Sequence, residues 1–300
     1  MSDMNRFIMM WLGLAVIPAA SVPSVAQDYR ASLLVSASWV AQHLNDPNVV
    51  VLHVGPREDY DREHIPGARY ISVGDIAERH AANDLVLELS PPARVEQALE
   101  SLGVSDASRI VVYWGGEWVT PTARVMFTLD WAGLGDRTVL LDGGFSAWKA
   151  AGHDVSDAVP AVRRGTLTVR PRPEMVVDAD WVQRNASGPG YALVDGRSAA
   201  YYDGVRDDDG KIGHIPGAGS VPWTELIDES LLLRNAEQLR QIFTSAGVEP
   251  GDTVVAYCHI GQYATMVLFA ARTLGYEVRL YDGAFQDWAK RELPLETGQR

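Results

Sequence analysis

The sequence predicts two doubly wound α/β domains in tandem, each built around a parallel sheet. Two observations predict this fold: short motifs occur twice in the same order, and short apolar runs alternate with amphipathic stretches. Strands that alternate with helices favour a parallel sheet covered by helices on both faces. The 300 residues, of which 47% are hydrophobic, suffice to bury two such cores.

Three short motifs carry the repeat. They are HIPGA at 64–68 and 214–218, an Asp-Gly-x-Phe-x-x-Trp motif at 142–148 and 282–288, and an apolar run with a tyrosine near its end at 110–114 and 253–258. A spacing this long between the copies indicates duplicated domains rather than a solenoid of small repeats.

The hydrophobic pattern predicts the same elements in both halves. The predicted elements are strands at 49–54, 109–113 and 138–141 in the first half, strands at 191–195, 253–257 and 277–281 in the second, and helices at 236–246 and 265–274.

The N-terminus has the pattern of an export signal. Arg6 precedes an apolar run at 7–17, and Ser24 and Ala26 supply the small residues of a cleavage site. The run is shorter than the roughly 20 residues that a membrane span needs. We therefore expect cleavage after Ala26 and a periplasmic or secreted protein with no stable membrane association. An uncleaved anchor is the alternative.

The repeat and the composition divide the chain into four segments. The expected segments are a signal peptide at 1–26, an N-terminal domain without cysteine at 27–156, a linker rich in proline and arginine at 157–175, and a C-terminal domain that holds the cysteine at 176–300.

The charge balance limits the partners of the protein. A formal charge of -13 repels nucleic acid and anionic membranes, and it also repels an anionic substrate. Any anionic substrate would therefore need a positive pocket of its own. The sequence does not decide the oligomeric state.

Cys258 is the only cysteine, so the chain cannot form an internal disulfide. It is either a buried small residue or a reactive thiol. Its position after a predicted strand and before a predicted helix favours the second role, because ligands of open α/β sheets bind at the carboxyl ends of strands. Backbone N–H groups of the loop 258–265 and the positive end of the following helix are expected to lower the pKa of the thiol. The loop residues expected to bind substrate are His259, Ile260, Gly261, Gln262 and Tyr263, and Gly261 would allow a tight turn.

Together, the duplicated HIPGA element, the cysteine loop after a strand and the Asp-Gly-x-Phe-x-x-Trp element resemble the rhodanese domain. Their tandem copies resemble the two-domain thiosulfate and mercaptopyruvate sulfurtransferases, over residues 31–297. The resemblance implies rhodanese-like domains and a persulfide on Cys258, with no metal or organic cofactor. In that family the N-terminal copy has lost its cysteine, and Trp114 stands at that position. The resemblance therefore implies an inactive N-terminal domain at 27–156 and a catalytic C-terminal domain at 176–300.

The resemblance also bears on residues outside the loop. It implies that Arg197 lies near the cysteine loop, where it binds substrate or pairs with Asp195 to shape the loop. It places a basic residue, His259, after the cysteine, as thiosulfate enzymes often do; an inert His259 facing solvent is the alternative. His214 belongs to HIPGA, which in this family is mostly a structural turn.

The sequence departs from the family pattern at the anion site. A further arginine is expected four residues after Arg197, where Tyr201 stands, so Arg206 or Lys211 would have to replace it. The segment DDDG at 207–210 resembles the start of a calcium loop but lacks its closing glutamate, which favours a solvated loop.

The sequence also departs from the family pattern at residues that select the sulfur donor. The mercaptopyruvate enzymes use a serine, a histidine and an aspartate at the positions of Ile260, His64 and His53, and only the histidine is kept. This favours thiosulfate as sulfur donor and cyanide or a thiol as acceptor, with mercaptopyruvate as the alternative.

Two other functions remain to be compared. A cysteine phosphatase needs an arginine six residues after the cysteine to bind phosphate, and Ala264 stands there. A non-enzymatic module that delivers sulfur to a partner protein would use the same persulfide but would not turn over free thiosulfate and cyanide.

Overall fold

The computed structural model describes residues 25–80, 84–186 and 188–298, which form two α/β units of the same topology. The strands are β1 (Leu34–Val35), β2 (Val49–Val54), β3 (Arg69–Tyr70), β4 (Ala77–His80), β5 (Leu85–Leu89), β6 (Arg109–Trp114), β7 (Thr138–Leu141), β8 (Val176–Val177), β9 (Tyr191–Asp195), β10 (Asp207–Asp208), β11 (Lys211–Ile212), β12 (Gly219–Ser220), β13 (Thr253–Tyr257) and β14 (Glu277–Tyr281). The helices are α1 (Val25–Leu33), α2 (Ala37–His43), α3 (Arg57–Arg62), α4 (Pro92–Ser101), α5 (Val119–Leu129), α6 (Gly144–Ala150), α7 (Ala179–Asn185), α8 (Ala199–Tyr202), α9 (Ala236–Ser245), α10 (Gln262–Thr273) and α11 (Ala284–Lys290). The predicted export signal falls on residues 1–26, of which 1–24 lie outside the described residues.

The two sheets confirm the predicted duplication. Among the described residues, the first unit has a five-stranded sheet in the order β1-β7-β6-β2-β3, and the second has one in the order β8-β14-β13-β9-β12. All pairings within both sheets are parallel. Reading each strand against its counterpart gives the same topology twice, so the predicted fold class is confirmed.

Local patterns explain why these segments form strands and helices. The central strands β6 and β13 are apolar and buried along most of their length, as expected for parallel strands covered on both faces. The start of α9 is fixed by Asn235, whose side chain accepts the backbone N–H of Gln238 in a capping box. The strand predictions at 49–54, 138–141, 191–195, 253–257 and 277–281 match the structure, whereas α10 begins earlier than predicted, at Gln262.

The two units share a hydrophobic core. Helix α5 of the first unit packs along α10 of the second. One continuous cluster of buried residues includes Val125 and Leu129 from α5 together with Val267 and Phe269 from α10. The carboxyl end of β13, and with it the cysteine loop, therefore lies beside the first unit.

The segment predicted as a linker is attached to the first unit along part of its length. The backbone N–H of Leu167 donates to Glu100 at 3.1 Å, that of Thr168 donates to Asp106 at 3.0 Å, and that of Arg172 donates to the carbonyl of Trp131 at 2.7 Å. Within the described ranges, no helix has the length and hydropathy that crossing a membrane requires.

Candidate active site

Cys258 lies at the carboxyl end of the second sheet, between β13 and α10. Tyr257, the last residue of β13, pairs with Asp195 at the end of β9. The chain then turns through Gly261, which precedes α10 with a left-handed φ of 81°. A side chain at 261 would place its Cβ atom 3.2 Å from Nη1 of Arg124 and 3.3 Å from the carbonyl oxygen of Asp282. The left-handed backbone therefore favours glycine at this turn, and a Cβ atom there would press on Arg124 and Asp282.

The loop directs backbone donors at the sulfur. The N–H groups of Ile260, Tyr263 and Ala264 each form a hydrogen bond with the Cys258 sulfur. This confirms the expectation that loop amides turn inward around the thiol. Such a ring of donors stabilises negative charge on the sulfur, whether the sulfur belongs to a thiolate or to a persulfide.

The predicted lowering of the thiol pKa is wrong. Cys258 is only 1% exposed, and this burial raises the pKa of its thiol above the ordinary value. The three amide hydrogen bonds lower the pKa, whereas the nearby charge of Asp195 raises it further. Loss of hydration therefore outweighs the amides, because the charged thiolate loses more than the neutral thiol when water is removed.

His259 and Arg197 are joined through Asp208. The Nδ1 atom of His259 lies 2.8 Å from one Asp208 carboxylate oxygen, and Nη1 of Arg197 donates to the other at 3.2 Å. The adjacent Asp208 carboxylate raises the pKa of His259, so its imidazole carries positive charge to a higher pH than a free histidine does. The expectation of a solvated loop at 207–210 is wrong for Asp208, which forms part of the β10–β11 hairpin and has a side chain only 14% exposed.

Arg197 is buried, at 2% exposure, and bound to three acceptors. Its Nε and Nη2 atoms donate to the Asp195 carboxylate at 2.6–3.1 Å, and Nη2 also donates to the carbonyl oxygen of Gly213 at 2.8 Å. Its guanidinium lies 3.9 Å from the ring centroid of Phe285. The geometry favours the structural role that the sequence left open, and a role of Arg197 in binding substrate stays a prediction.

Aromatic residues surround the outer side of the loop. Tyr263 is 39% exposed, and its ring centroid lies 5.6 Å from that of Trp223. Burial and the charges of Cys258, Tyr201 and Asp208 raise the pKa of Tyr263, which places these groups close together.

Of the two candidates for the missing arginine, Arg206 stacks over the Tyr201 ring at 5.5 Å, and Lys211 lies in β11. The side chain of Gln262 donates to Thr120 of the first unit at 3.2 Å.

In the first unit, a tryptophan occupies the position of the cysteine. Trp114 is buried at the end of β6, directly after Tyr113, which pairs with His53 of β2. The second unit has Cys258 and Asp195 at the positions of Trp114 and His53. Its indole lies against Gly144, where an added Cβ atom would be 2.4 Å from the indole nitrogen. Burial, followed by the charge of His64, lowers the pKa of His53 to about 4, so this histidine is neutral near pH 7.

The HIPGA histidines have the same structural role in both units. Nδ1 of His64 lies 2.7 Å from the carbonyl oxygen of Tyr60, and Nδ1 of His214 lies 2.8 Å from that of Tyr202. Each imidazole also stacks on the ring of the same tyrosine. These contacts agree with the prediction of a structural turn.

The comparisons with known proteins agree with this arrangement. The model of the rhodanese-like domain matches residues 36–151 and 178–291. The chain belongs to the rhodanese-like family. It is 31% identical to a probable 3-mercaptopyruvate sulfurtransferase of Pseudomonas aeruginosa, across 88% of this chain and 98% of the relative. It is 28% identical to a putative thiosulfate sulfurtransferase of Synechococcus elongatus, across 95% of this chain and 91% of the relative. The crystal structure of SseA from Escherichia coli aligns with a TM-score of 0.74 and 29% identity, across 84% of this chain and 98% of that protein.

Sequence reasoning missed several residues around this rhodanese-like loop. They are Asp208, which bridges His259 and Arg197, and Arg124, Asp282 and Gln286, which contact the loop or the turn that holds it. A signal for two of them is present in the repeat, because Arg124 and Gln286 differ from their counterparts Met266 and Ser146 in the other copy.

Proposed function

We propose that the protein is a thiosulfate sulfurtransferase that carries sulfane sulfur on Cys258. One observation carries the proposal: three backbone N–H groups converge on the sulfur of a cysteine at the turn between β13 and α10. The rhodanese-like family and the sulfurtransferase names of its relatives support the reaction class.

The chemistry needs only the cysteine and its surroundings. The Cys258 thiolate attacks the outer sulfur of thiosulfate, a sulfur–sulfur bond forms to the enzyme, and the bond within thiosulfate breaks as sulfite leaves with the electron pair. Cyanide or a thiolate then attacks the terminal sulfur of the persulfide and restores the Cys258 thiolate. The amides of Ile260, Tyr263 and Ala264 stabilise negative charge on the enzyme sulfur before and after transfer.

The choice of thiosulfate over mercaptopyruvate rests on three positions. Ile260 has no hydroxyl, and His53 is neutral where the mercaptopyruvate enzymes have an aspartate. Both nitrogens of His64 lie within 3.3 Å of main-chain oxygens, those of Tyr60 and Ala158. The positively charged form of His259, stabilised by Asp208, supports binding of an anion despite the net charge of -13. A mercaptopyruvate enzyme, or a sulfur carrier for a partner protein, is the alternative.

Thiocyanate formation tests the proposal directly. We expect kcat/KM to be higher with thiosulfate than with 3-mercaptopyruvate, and Cys258→Ser to abolish the reaction with either donor because a hydroxyl does not replace the thiolate. Higher kcat/KM with mercaptopyruvate would assign the other donor. Thiocyanate production by Cys258→Ser would remove Cys258 from the mechanism. A wild-type protein that accepts sulfur but does not turn over would be a carrier.

Export is a separate part of the proposal. We propose that the chain is secreted or periplasmic after cleavage behind Ala26, on the pattern of its first residues. N-terminal sequencing of the protein from its native source should then begin at Gln27, and a protein that retains Met1 would contradict cleavage.

A further inference from the structure

We propose that Arg124 and Gln286 are positioning residues through which the first unit fixes the orientation of the Cys258 loop. The proposal rests on the proposed function, because the loop is taken as the site of sulfur transfer. It gives the unit without a cysteine a definite role in the reaction of the other unit.

The start of α11 holds two peptide groups of the loop. The backbone N–H of Phe285 donates to the carbonyl oxygen of Cys258 at 2.9 Å, and that of Gln286 donates to the carbonyl oxygen of His259 at 3.0 Å. In a planar trans peptide the carbonyl and the N–H point in opposite directions. Holding the His259 carbonyl toward α11 therefore turns the N–H of Ile260 the other way, where it binds the Cys258 sulfur.

The first unit in turn holds the start of α11 in place. Gln286 is 4% exposed, and its side chain forms two hydrogen bonds with Val86 of the β4–β5 hairpin in the first unit. The Val86 N–H donates to Oε1 at 3.1 Å, and Nε2 donates to the Val86 carbonyl oxygen at 2.9 Å. The residue whose backbone orients the loop is thus anchored by its side chain to the other unit.

Arg124 provides the second anchor. It comes from α5 of the first unit, is 0% exposed, and places Nη2 2.7 Å from Oδ1 of Asp282, just before α11. The other Asp282 oxygen accepts the backbone N–H of Leu89 at 2.8 Å. The Nη1 atom of Arg124 approaches Gly261 closely enough that a side chain there would contact it. Arg124 therefore touches both the catalytic loop and the turn that supports it.

In the repeat, these two side chains have no equivalents that support the cysteine-free loop of the first unit. The counterpart of Arg124 in α10 is Met266, because Gly133 and Gly275, which share a left-handed backbone, follow these two residues at the same distance. The counterpart of Gln286 in α6 is Ser146, which is exposed. The corresponding aspartate of the first unit, Asp142, is approached instead by Arg30 at 3.6 Å. Arg30 also binds carbonyl oxygens of the second unit, at Leu233 and Arg234, but not the catalytic loop. It thus offers a matched control contact between the units.

The pH dependence of Cys258 alkylation by iodoacetamide tests the proposal without a sulfur donor. The midpoint of the rate reports stabilisation of the thiolate, and the plateau at high pH reports access to the sulfur. We would compare Gln286→Met and Arg124→Lys with Arg30→Gln and wild type, and record melting temperatures. All four proteins keep the titratable groups that surround the thiol, which are Asp195, Asp208, His259 and Tyr263. Arg124→Lys also keeps the positive charge beside Asp282.

We expect the midpoint to rise by about one pH unit in Gln286→Met and Arg124→Lys, a roughly tenfold loss of thiolate at fixed pH, because an amide bond to the sulfur is misaligned. Arg30→Gln should keep the wild-type midpoint even if it melts lower. Unchanged midpoints, or an equal rise in Arg30→Gln, would overturn the proposal. If the two variants do not fold, the milder Gln286→Asn, which is too short to reach Val86, decides between the same outcomes. Failure of the wild type to accept sulfur would refute the proposed function but leave these midpoints interpretable.

Discussion

At Cys258, burial and the loop amides shift the pKa of the thiol in opposite directions. Burial removes water from the thiolate and raises its pKa, while the amides of Ile260, Tyr263 and Ala264 replace part of that hydration with fixed dipoles. The sequence indicates the amides, because a strand followed by a tight turn and a helix is a local pattern. It does not indicate the depth of burial, since that depends on α5 of the other unit packing along α10.

Arg197 also shows why contacts are harder to predict than positions. Its place after β9 follows from the sequence, but its partners Asp208 and Gly213 come from the following loop and hairpin.

We expect Arg197→Ala to lower stability by about 3–5 kcal/mol, because it leaves Asp195 buried and unpaired. Chemical denaturation measures this loss, and KM for thiosulfate should stay near wild type in the folded fraction. A raised KM without loss of stability would instead make Arg197 a substrate ligand.

The raised pKa of His259 predicts a particular pH profile. Transfer from an anionic donor needs a thiolate, which forms as pH rises, and a protonated His259, which is lost as pH rises through its raised pKa. We expect kcat/KM for thiosulfate to pass through a maximum and then fall at alkaline pH. In His259→Gln the alkaline fall should disappear, leaving a rise to a plateau. Superimposable profiles for the two proteins would show that His259 is inert.

The His259–Asp208 pair also makes folding stability depend on pH. The His259–Asp208 interaction stabilises the folded protein at pH values below about 6.5, the unfolded histidine pKa, and its contribution is lost as pH rises through the raised folded pKa. The side chain of His259 is 36% exposed, so solvent weakens the effect. Folding stability should therefore fall less with rising pH in His259→Gln than in wild type.

At the scale of elements, the strands follow the sequence more closely than the helix beside the site. Apolar runs between turn residues predict the strands because both faces of each sheet are covered. The sequence predicts the start of α10 at 265, later than the observed Gln262, because no side chain caps the helix and its first turn follows a glycine with a left-handed backbone. The sequence therefore does not predict the length of the sulfur-binding loop.

The turn at Gly261 offers a test of the loop as an element. Gly261→Ala should cost about 1–2 kcal/mol from the left-handed backbone and should also push the loop away from Arg124. Gly247→Ala is the control, because Gly247 has a similar φ of 84° and no neighbouring atom within 4 Å of an added Cβ. Gly261→Ala should lose at least as much stability in denaturation as Gly247→Ala, and only Gly261→Ala should lose persulfide formation. Equal activity in the two variants would show that the turn has no influence on the sulfur.

At the scale of the whole molecule, duplication was visible in the sequence and the interface between the copies was not. The repeated motifs are contiguous segments, whereas the contacts of Arg124 and Gln286 join residues far apart in the chain. The shared core predicts that the units unfold together. Calorimetry should give one transition in which calorimetric and van't Hoff enthalpies agree. Two resolved transitions would show that the units are energetically independent.

The central claim is that Cys258 carries sulfur, and the intact mass of the protein tests it most directly. After incubation with thiosulfate and removal of excess reagent, the mass should increase by one sulfur atom, and peptide mapping should place that atom on Cys258. Cyanide should restore the original mass and release thiocyanate, and Cys258→Ser should show no change at either step. An unchanged mass after thiosulfate treatment, or a sulfur adduct that persists in Cys258→Ser, would contradict the account.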